Sequence, residues 1–330
     1  MPLIKSDYKA PWFFTNTHFQ TIYSGAIRGA KVVAYQTERL TTPDNDFLDI
    51  DWLRAGNERL VIITHGMCGS AQAAQVKGIA AAFTESGFDV LAVNFRGSGK
   101  ESNLNFRTYH SGETGDLRFI VNTIFERASY REISLAGYSL GGNVILKYLG
   151  EEGEKAAKII KSAAVMSVPV DLVGSDLEMR KWKNRHYILN FNIGVRKLLA
   201  PKALQFPERL QMSQLKKAKN LSDFANVYVA PAFGFQDADD YHSKASSLPY
   251  LSNISVPVLL LQALDDTILS ADCYPGDIAE KSPFLHLEIS KHGGHAGFVR
   301  FGTDGHMWSE LRFRDFLLQQ ASPTTESTNI

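Results

Sequence analysis

Two kinds of apolar pattern alternate along the chain. Residues 59–64 (RLVIIT) are a continuous β-branched apolar run, the pattern of a strand buried on both faces. The alanine-rich stretch 71–87 that follows has helical character and closes on Gly87, a helix stop. The succession then repeats. A strand is predicted at 88–95, and a helix at 112–128 whose Leu117, Ile120, Val121 and Ile124 share one face. Further strands are predicted at 132–137 and 161–170, with a helix at 140–152 between them. Strands at 256–264 and 284–289 and a helix at 307–320 complete the series. Ahead of it, 31–40 and 47–53 read as an antiparallel pair joined across the turn-rich TTPDND. Such alternation predicts an α/β fold with a mostly parallel central sheet and helices on both faces.

Residues 171–247 break the rhythm. They hold no clear strand–helix unit and are rich in aromatic and basic side chains, among them Arg180, Lys181, Lys183, Arg185, Arg196, Lys197, Lys202 and Arg209. This segment reads as a helical cap inserted between two core strands, above the carboxyl ends where open α/β sheets bind ligands. The expected organisation is a core of 1–170 and 248–320, a cap of 171–247, and a polar, disordered tail of 321–330.

Composition narrows the classes. The chain has 330 residues, 44% of them hydrophobic, enough for a sizeable core. Its 35 basic and 35 acidic residues cancel, so nucleic acid is not an expected partner. Two cysteines, Cys68 and Cys273, are too few for a disulfide framework, and no zinc-type Cys/His spacing occurs. Lys5, Asp7 and Lys9 interrupt any apolar leader, and no spanning apolar run is present. A soluble, cytoplasmic protein is expected. Charge in the basic segment suggests either peripheral contact with an anionic membrane surface or simply a solvated face. Nothing in the sequence indicates an oligomeric state.

The candidate chemistry centres on Gly137-Tyr138-Ser139-Leu140-Gly141, a G-x-S-x-G between a predicted strand and a predicted helix. In that context the tight turn projects the Ser139 hydroxyl above the sheet, at a helix N-terminus that favours developing negative charge. A serine is a weak nucleophile until a base takes its proton. An acid after a late strand and a histidine after the last one would complete a triad in the order nucleophile, acid, histidine. Asp265 and Asp266 follow 256–264; His292 and His295 follow 284–289. The residues alone leave both pairs open. The amide of Leu140 and the amide of Met67, in the glycine-rich loop HGMCGS (65–70), are the expected oxyanion donors. Cys68 in that loop is either a small buried side chain or an accessible thiol.

The segments NTHFQTI (16–22), PDNDFLDIDW (43–52), HGMCGS (65–70), NFRGSG (94–99), YHSGETGDL (109–117), GYSLGGN (137–143), QDADDYHSKAS (236–246), ALDD (263–266) and HGGHAGF (292–298) together resemble the YheT-like branch of the α/β-hydrolases. The resemblance implies an α/β-hydrolase fold and a serine hydrolase with the triad Ser139, Asp266 and His295, so it selects the second member of each pair. It implies carboxylic ester substrates of short to medium acyl chain, lipid esters included, and no cofactor or metal. Met67-Cys68 stands where the branch usually has Leu-Glu, and Thr267 where it usually has proline. The same triad could serve an acyltransferase or thioesterase, and the fold could serve a non-catalytic binding module. His18 and His110 lie outside the triad order and read as structural, with Ser111 as N-cap of the 112–128 helix and Glu113 in its first turn. Ester cleavage is expected to fall at low pH as His295 protonates.

Overall fold

The computed structural model describes residues 3–302 and 304–322. Its nine strands are β1 (Leu3–Lys5), β2 (Gln36–Thr41), β3 (Phe47–Leu53), β4 (Arg59–Thr64), β5 (Asp89–Val93), β6 (Glu132–Tyr138), β7 (Ile160–Met166), β8 (Val258–Ala263) and β9 (Leu285–Ser290). They form one sheet in the order β1-β9-β8-β7-β6-β4-β5-β3-β2. β3 runs antiparallel to β2 and β5, and every other pairing is parallel.

Continuous apolar runs are needed because helices cover both faces. In β4, Leu60 and Ile62 enter one core while Val61 and Ile63 enter the other. β5 and β8 divide their side chains in the same way. Helices α1 (Thr17–Ile22), α2 (Ala74–Thr84), α3 (Gly115–Glu126) and α4 (Leu140–Glu152) precede β7 or accompany the first strands. Between β7 and β8 lie α5 (Leu172–Met179), α6 (Arg185–Gln205), α7 (Met212–Lys217), α8 (Leu221–Phe224), α9 (Ala230–Phe233) and α10 (Ala238–Ala245). The chain closes with α11 (Gly276–Lys281) and α12 (Trp308–Gln320). The predicted stripe of α3 packs with α4 on one face, and α2 packs with Phe313, Phe316 and Leu317 of α12 on the other.

Several expected boundaries move, each for a visible reason. The strand predicted to reach 170 stops at Met166, because Ser167 adopts φ of 50° and turns the chain out of the sheet. The first residues of the alanine-rich run are held in a loop, where the Ala71 amide donates to Asn94 Oδ1 at 2.9 Å. Ser111 does not cap α3, which begins at Gly115 with Thr114 before it. Ser111 is engaged elsewhere: its amide donates to the Tyr241 hydroxyl at 3.0 Å and its carbonyl accepts from Asn143 Nδ2 at 2.7 Å. Of the antiparallel pair, 31–35 is not strand. β1 is an addition: its three residues align with Leu287, Glu288 and Ile289.

Most of the tail expected at 321–330 lies outside the described residues. Ser322, which is described, is tethered: its amide donates to Glu132 and its carbonyl accepts from Arg59. Much of the basic charge of 171–247 is engaged internally. Arg196 donates to the carbonyls of Leu215 and Ala218. Buried Lys202 donates to the Asn103 carbonyl, and Lys181 and Lys183 both pair with Glu178. Among the described residues, no helix is long and apolar enough to cross a membrane.

Candidate active site

Ser139 sits between the end of β6 and the start of α4, with φ of 53° and ψ of −127°. This is a strained conformation for any residue with a side chain. The flanking glycines allow it by close approach. A Cβ on Gly141 would lie 2.5 Å from the His65 carbonyl oxygen, and one on Gly137 would strike the Thr64 hydroxyl. The sharp turn and tight contact with β4 together aim the hydroxyl away from the sheet.

His295 and Asp266 meet that hydroxyl. Asp266 follows β8; its carboxylate is fully buried and its Oδ1 accepts from the Ile268 amide at 3.0 Å. Its Oδ2 accepts from His295 Nδ1 at 2.8 Å. That bond assigns the proton to Nδ1 and leaves Nε2 as the acceptor. Nε2 lies 2.9 Å from Ser139 Oγ and so accepts from the serine hydroxyl. Asp265 and His292, the other members of each pair, form a second bridge. Asp265 Oδ1 accepts from the Gly294 amide at 2.9 Å, and its Oδ2 lies 3.4 Å from His292 Nδ1. The second pair thus braces the histidine loop against the aspartate loop.

Other elements hold the same loop. The His295 amide donates to Thr21 Oγ1 of α1 at 2.9 Å, and the Ala296 amide donates to Ser167 Oγ at 2.8 Å. Gly294, at φ of 57°, passes close to α1: a Cβ there would lie 2.6 Å from the Thr17 carbonyl. In the sequence Thr21 has no evident role. Its only signal was membership of NTHFQTI, a segment without obvious chemistry. Asn143 was missed similarly. Buried at the first turn of α4, it donates to the carbonyls of Ser111 and Ala245 and accepts from the Ser247 amide. It therefore ties GYSLGGN to YHSGE and to the end of α10.

The loop after β4 presents two successive amides, which differ in use. The Cys68 amide donates to the Tyr109 hydroxyl at 2.8 Å. The Met67 amide, like that of Leu140, has no protein acceptor among the described residues. His65 stiffens the loop. Its Nε2 accepts from the Phe95 amide at 3.3 Å, so Nδ1 carries the proton and donates to the Gly66 carbonyl at 2.7 Å. Burial pushes His65 down to about 4, which keeps the ring neutral. Burial also pushes the Cys68 thiol up to about 12, so it stays protonated and serves as wall rather than thiolate.

His110 and His18 lie outside the hydrogen-bonded series, and His110 is part of the wall around it. His110 Nδ1 accepts from the Gly112 amide, its ring meets Phe233 and Tyr241 edge-on, and burial lowers it to about 3. His18 Nδ1 lies 2.9 Å from the Tyr187 hydroxyl, joining α1 to α6.

Ser139, His295, Met67 and Leu140 line a cavity of about 120 Å³ whose remaining wall is mostly apolar, including Leu172, Phe191, Val195, Leu199 and Phe224. That is roughly eight to twelve times the space one water needs. The core and the helices between β7 and β8 both contribute to it. Among the described residues, no cluster of three or more His, Cys, Asp or Glu is arranged to hold a metal ion.

The model of the α/β-hydrolase fold family matches residues 59–300. The chain is 30% identical to YheT of Escherichia coli (strain K12) over 315 residues, 92% of this chain and 91% of that one. It is 26% identical to phospholipase ABHD3 of Mus musculus over 310 residues, 90% of this chain and 74% of that one. Among solved structures, the Pyrococcus furiosus esterase Pf2001 superposes with a TM-score of 0.60 at 19% identity, covering 90% of this chain and 97% of that one. Family match, sheet order and near full-length similarity agree: the chain belongs to the α/β-hydrolases, in the branch that contains YheT.

Proposed function

We propose that this protein is a serine hydrolase that cleaves carboxylic esters through an acyl-enzyme. The observation that carries the reading is the hydrogen-bonded series Ser139 Oγ, His295 and Asp266, with steps of 2.9 and 2.8 Å. In this reading Ser139 Oγ attacks the ester carbonyl carbon as its proton passes to His295 Nε2. Asp266 holds the ring in the required tautomer and stabilises the imidazolium. The amides of Met67 and Leu140 stabilise the oxyanion of the tetrahedral intermediate. His295 then protonates the departing alcohol, leaving an acyl group on Ser139. Water, deprotonated by His295, attacks that group and releases the acid.

Residues 171–247 act as a cap, and the apolar wall they share with the core receives the acyl chain. The size of the cavity favours short to medium chains, and the similarity to a phospholipase makes lipid esters suitable candidates. The reading is tested by turnover of p-nitrophenyl esters of increasing chain length, by the intact chain and by Ser139→Ala. We expect turnover to peak at a short or medium acyl chain and to vanish in a variant that still melts cooperatively. Undiminished turnover by that variant would refute the assignment.

A further inference from the structure

One polar group in the cavity wall is not explained by the triad. Asp176, on α5, lines the cavity with a side chain only 5% exposed. Its Oδ2 is occupied: it accepts from Arg180 Nη2 and, at 2.8 Å, from Ser222 Oγ. Its Oδ1 is buried and has no hydrogen-bond partner among the described residues. A buried carboxylate oxygen without a donor is destabilising, and such orphans are rare unless something occupies them. His242, on α10, lines the same cavity, is itself buried, and its ring nitrogens make no hydrogen bond among the described residues. Two polar residues from different helices thus border a mostly apolar chamber; the Asp176 oxygen is a buried orphan, and the His242 ring nitrogens are open to a partner.

We propose that Asp176 and His242 form a second recognition point in the substrate cavity, one that receives a hydroxyl group carried by the ester. This rests on the ester-hydrolase reading and narrows its substrate class. A hydroxyl fits both sides of the pair. It donates to Asp176 Oδ1 and retains lone pairs for an imidazole N–H. A cation fits less well, because Arg180 already supplies positive charge to this carboxylate. Arg180 and Ser222 also fix the orientation of the carboxylate, so Oδ1 is held in place before a substrate arrives. A site built around a hydroxyl rejects the analogue lacking it more strongly than an apolar pocket rejects a missing methylene, because the protein's own polar group is then left unpaired.

The hydroxyl can belong to the acyl chain or to the alcohol portion, and two series of ligands separate these sources. Calorimetric binding to the full chain carrying Ser139→Ala compares methyl octanoate with methyl hydroxyoctanoates whose hydroxyl is moved along the chain. A second series compares propyl octanoate with hydroxypropyl octanoates. We expect the best isomer of one series to bind at least about tenfold tighter than its plain parent, and that series identifies the source. The advantage should disappear in Asp176→Leu, with His242→Phe as a second variant should the first fail to melt cooperatively. Ratios below tenfold throughout both series overturn the proposal. So does a hydroxyl advantage that survives in a folded variant of either residue. The ligands are not turned over, so this result is read independently of catalysis. Loss of the parent reading would instead appear as absence of Ser139-dependent ester turnover in the intact chain.

Discussion

At the scale of single residues, the site depends on a few side chains whose partners leave them one role each. Nδ1 of His295 is committed to Asp266, so Nε2 can only accept from Ser139. Replacing Asp266 by asparagine keeps the volume but offers an amide that can donate to Nδ1 and favour the wrong tautomer. We expect kcat to fall by about 10⁴-fold with little change in KM. A loss of less than about tenfold in steady-state kinetics would show that the carboxylate does not set the tautomer. The residue pattern disclosed Ser139 through its glycines, and the structure gives these a steric reason: close packing against Thr64 and His65. It could not distinguish Asp266 from Asp265 or His295 from His292 without the family resemblance. Adjacent aspartates and histidines three residues apart have the same chemistry, and only the course of two loops decides which pair meets the serine.

At the scale of elements, the histidine loop is held by its neighbours rather than by its own sequence. α1 supplies Thr21 Oγ1 to the His295 amide, and the end of β7 supplies Ser167 Oγ to the Ala296 amide. Thr21→Val removes one acceptor while keeping the shape. We expect kcat to drop about tenfold or more, with KM less affected, because displacing a reacting group by a fraction of an ångström is enough to slow the chemistry. Equal kcat for variant and parent would remove Thr21 from the positioning role. Asn143 makes all three of its hydrogen bonds to backbone. Asn143→Leu leaves those buried groups unpaired and should lower stability by about 3 kcal/mol or more, read from denaturant unfolding; a loss below 1 kcal/mol would contradict this tie. Most strand–helix units were legible because burial on both sheet faces imposes long apolar runs. Their ends were less so. β7 stops where Ser167 turns to reach the histidine loop, and α3 starts late because Ser111 is drawn to Asn143 and Tyr241. Both boundaries are set by distant partners.

At the scale of the whole molecule, buried histidines link stability to pH. His65 and His110 are held at about 4 and about 3, below their ordinary 6.5, by burial. Above pH 6.5 both folded and unfolded chains carry them neutral, so stability is at its full value. Below 6.5 the unfolded chain takes up protons that the folded chain does not, and stability falls until the folded-state groups also titrate. Once its folded form has also titrated, His65 accounts for a loss of about 3 kcal/mol and His110 for about 5 kcal/mol. Thermal melts should therefore show Tm falling steadily from pH 7 to pH 4.5, less steeply in His65→Asn; a flat profile would contradict the buried, neutral assignment. The segment 171–247 was the least legible part of the chain. Its basic composition suggested an outward-facing charged surface, yet Arg196 and Lys202 bond to backbone within the fold. Composition counts charges but not their partners, and side chains brought to one cavity from α5, α6, α8 and α10 leave no local pattern.

The most direct test of the account is covalent. Treatment of the intact chain with a fluorophosphonate, followed by peptide mass spectrometry, should give one adduct, on Ser139, in step with loss of ester turnover. The adduct should be absent from Ser139→Ala and greatly slowed in His295→Ala. A folded, esterase-active protein that forms no adduct at Ser139, or that is inactivated by modification at another residue, would contradict the central claim.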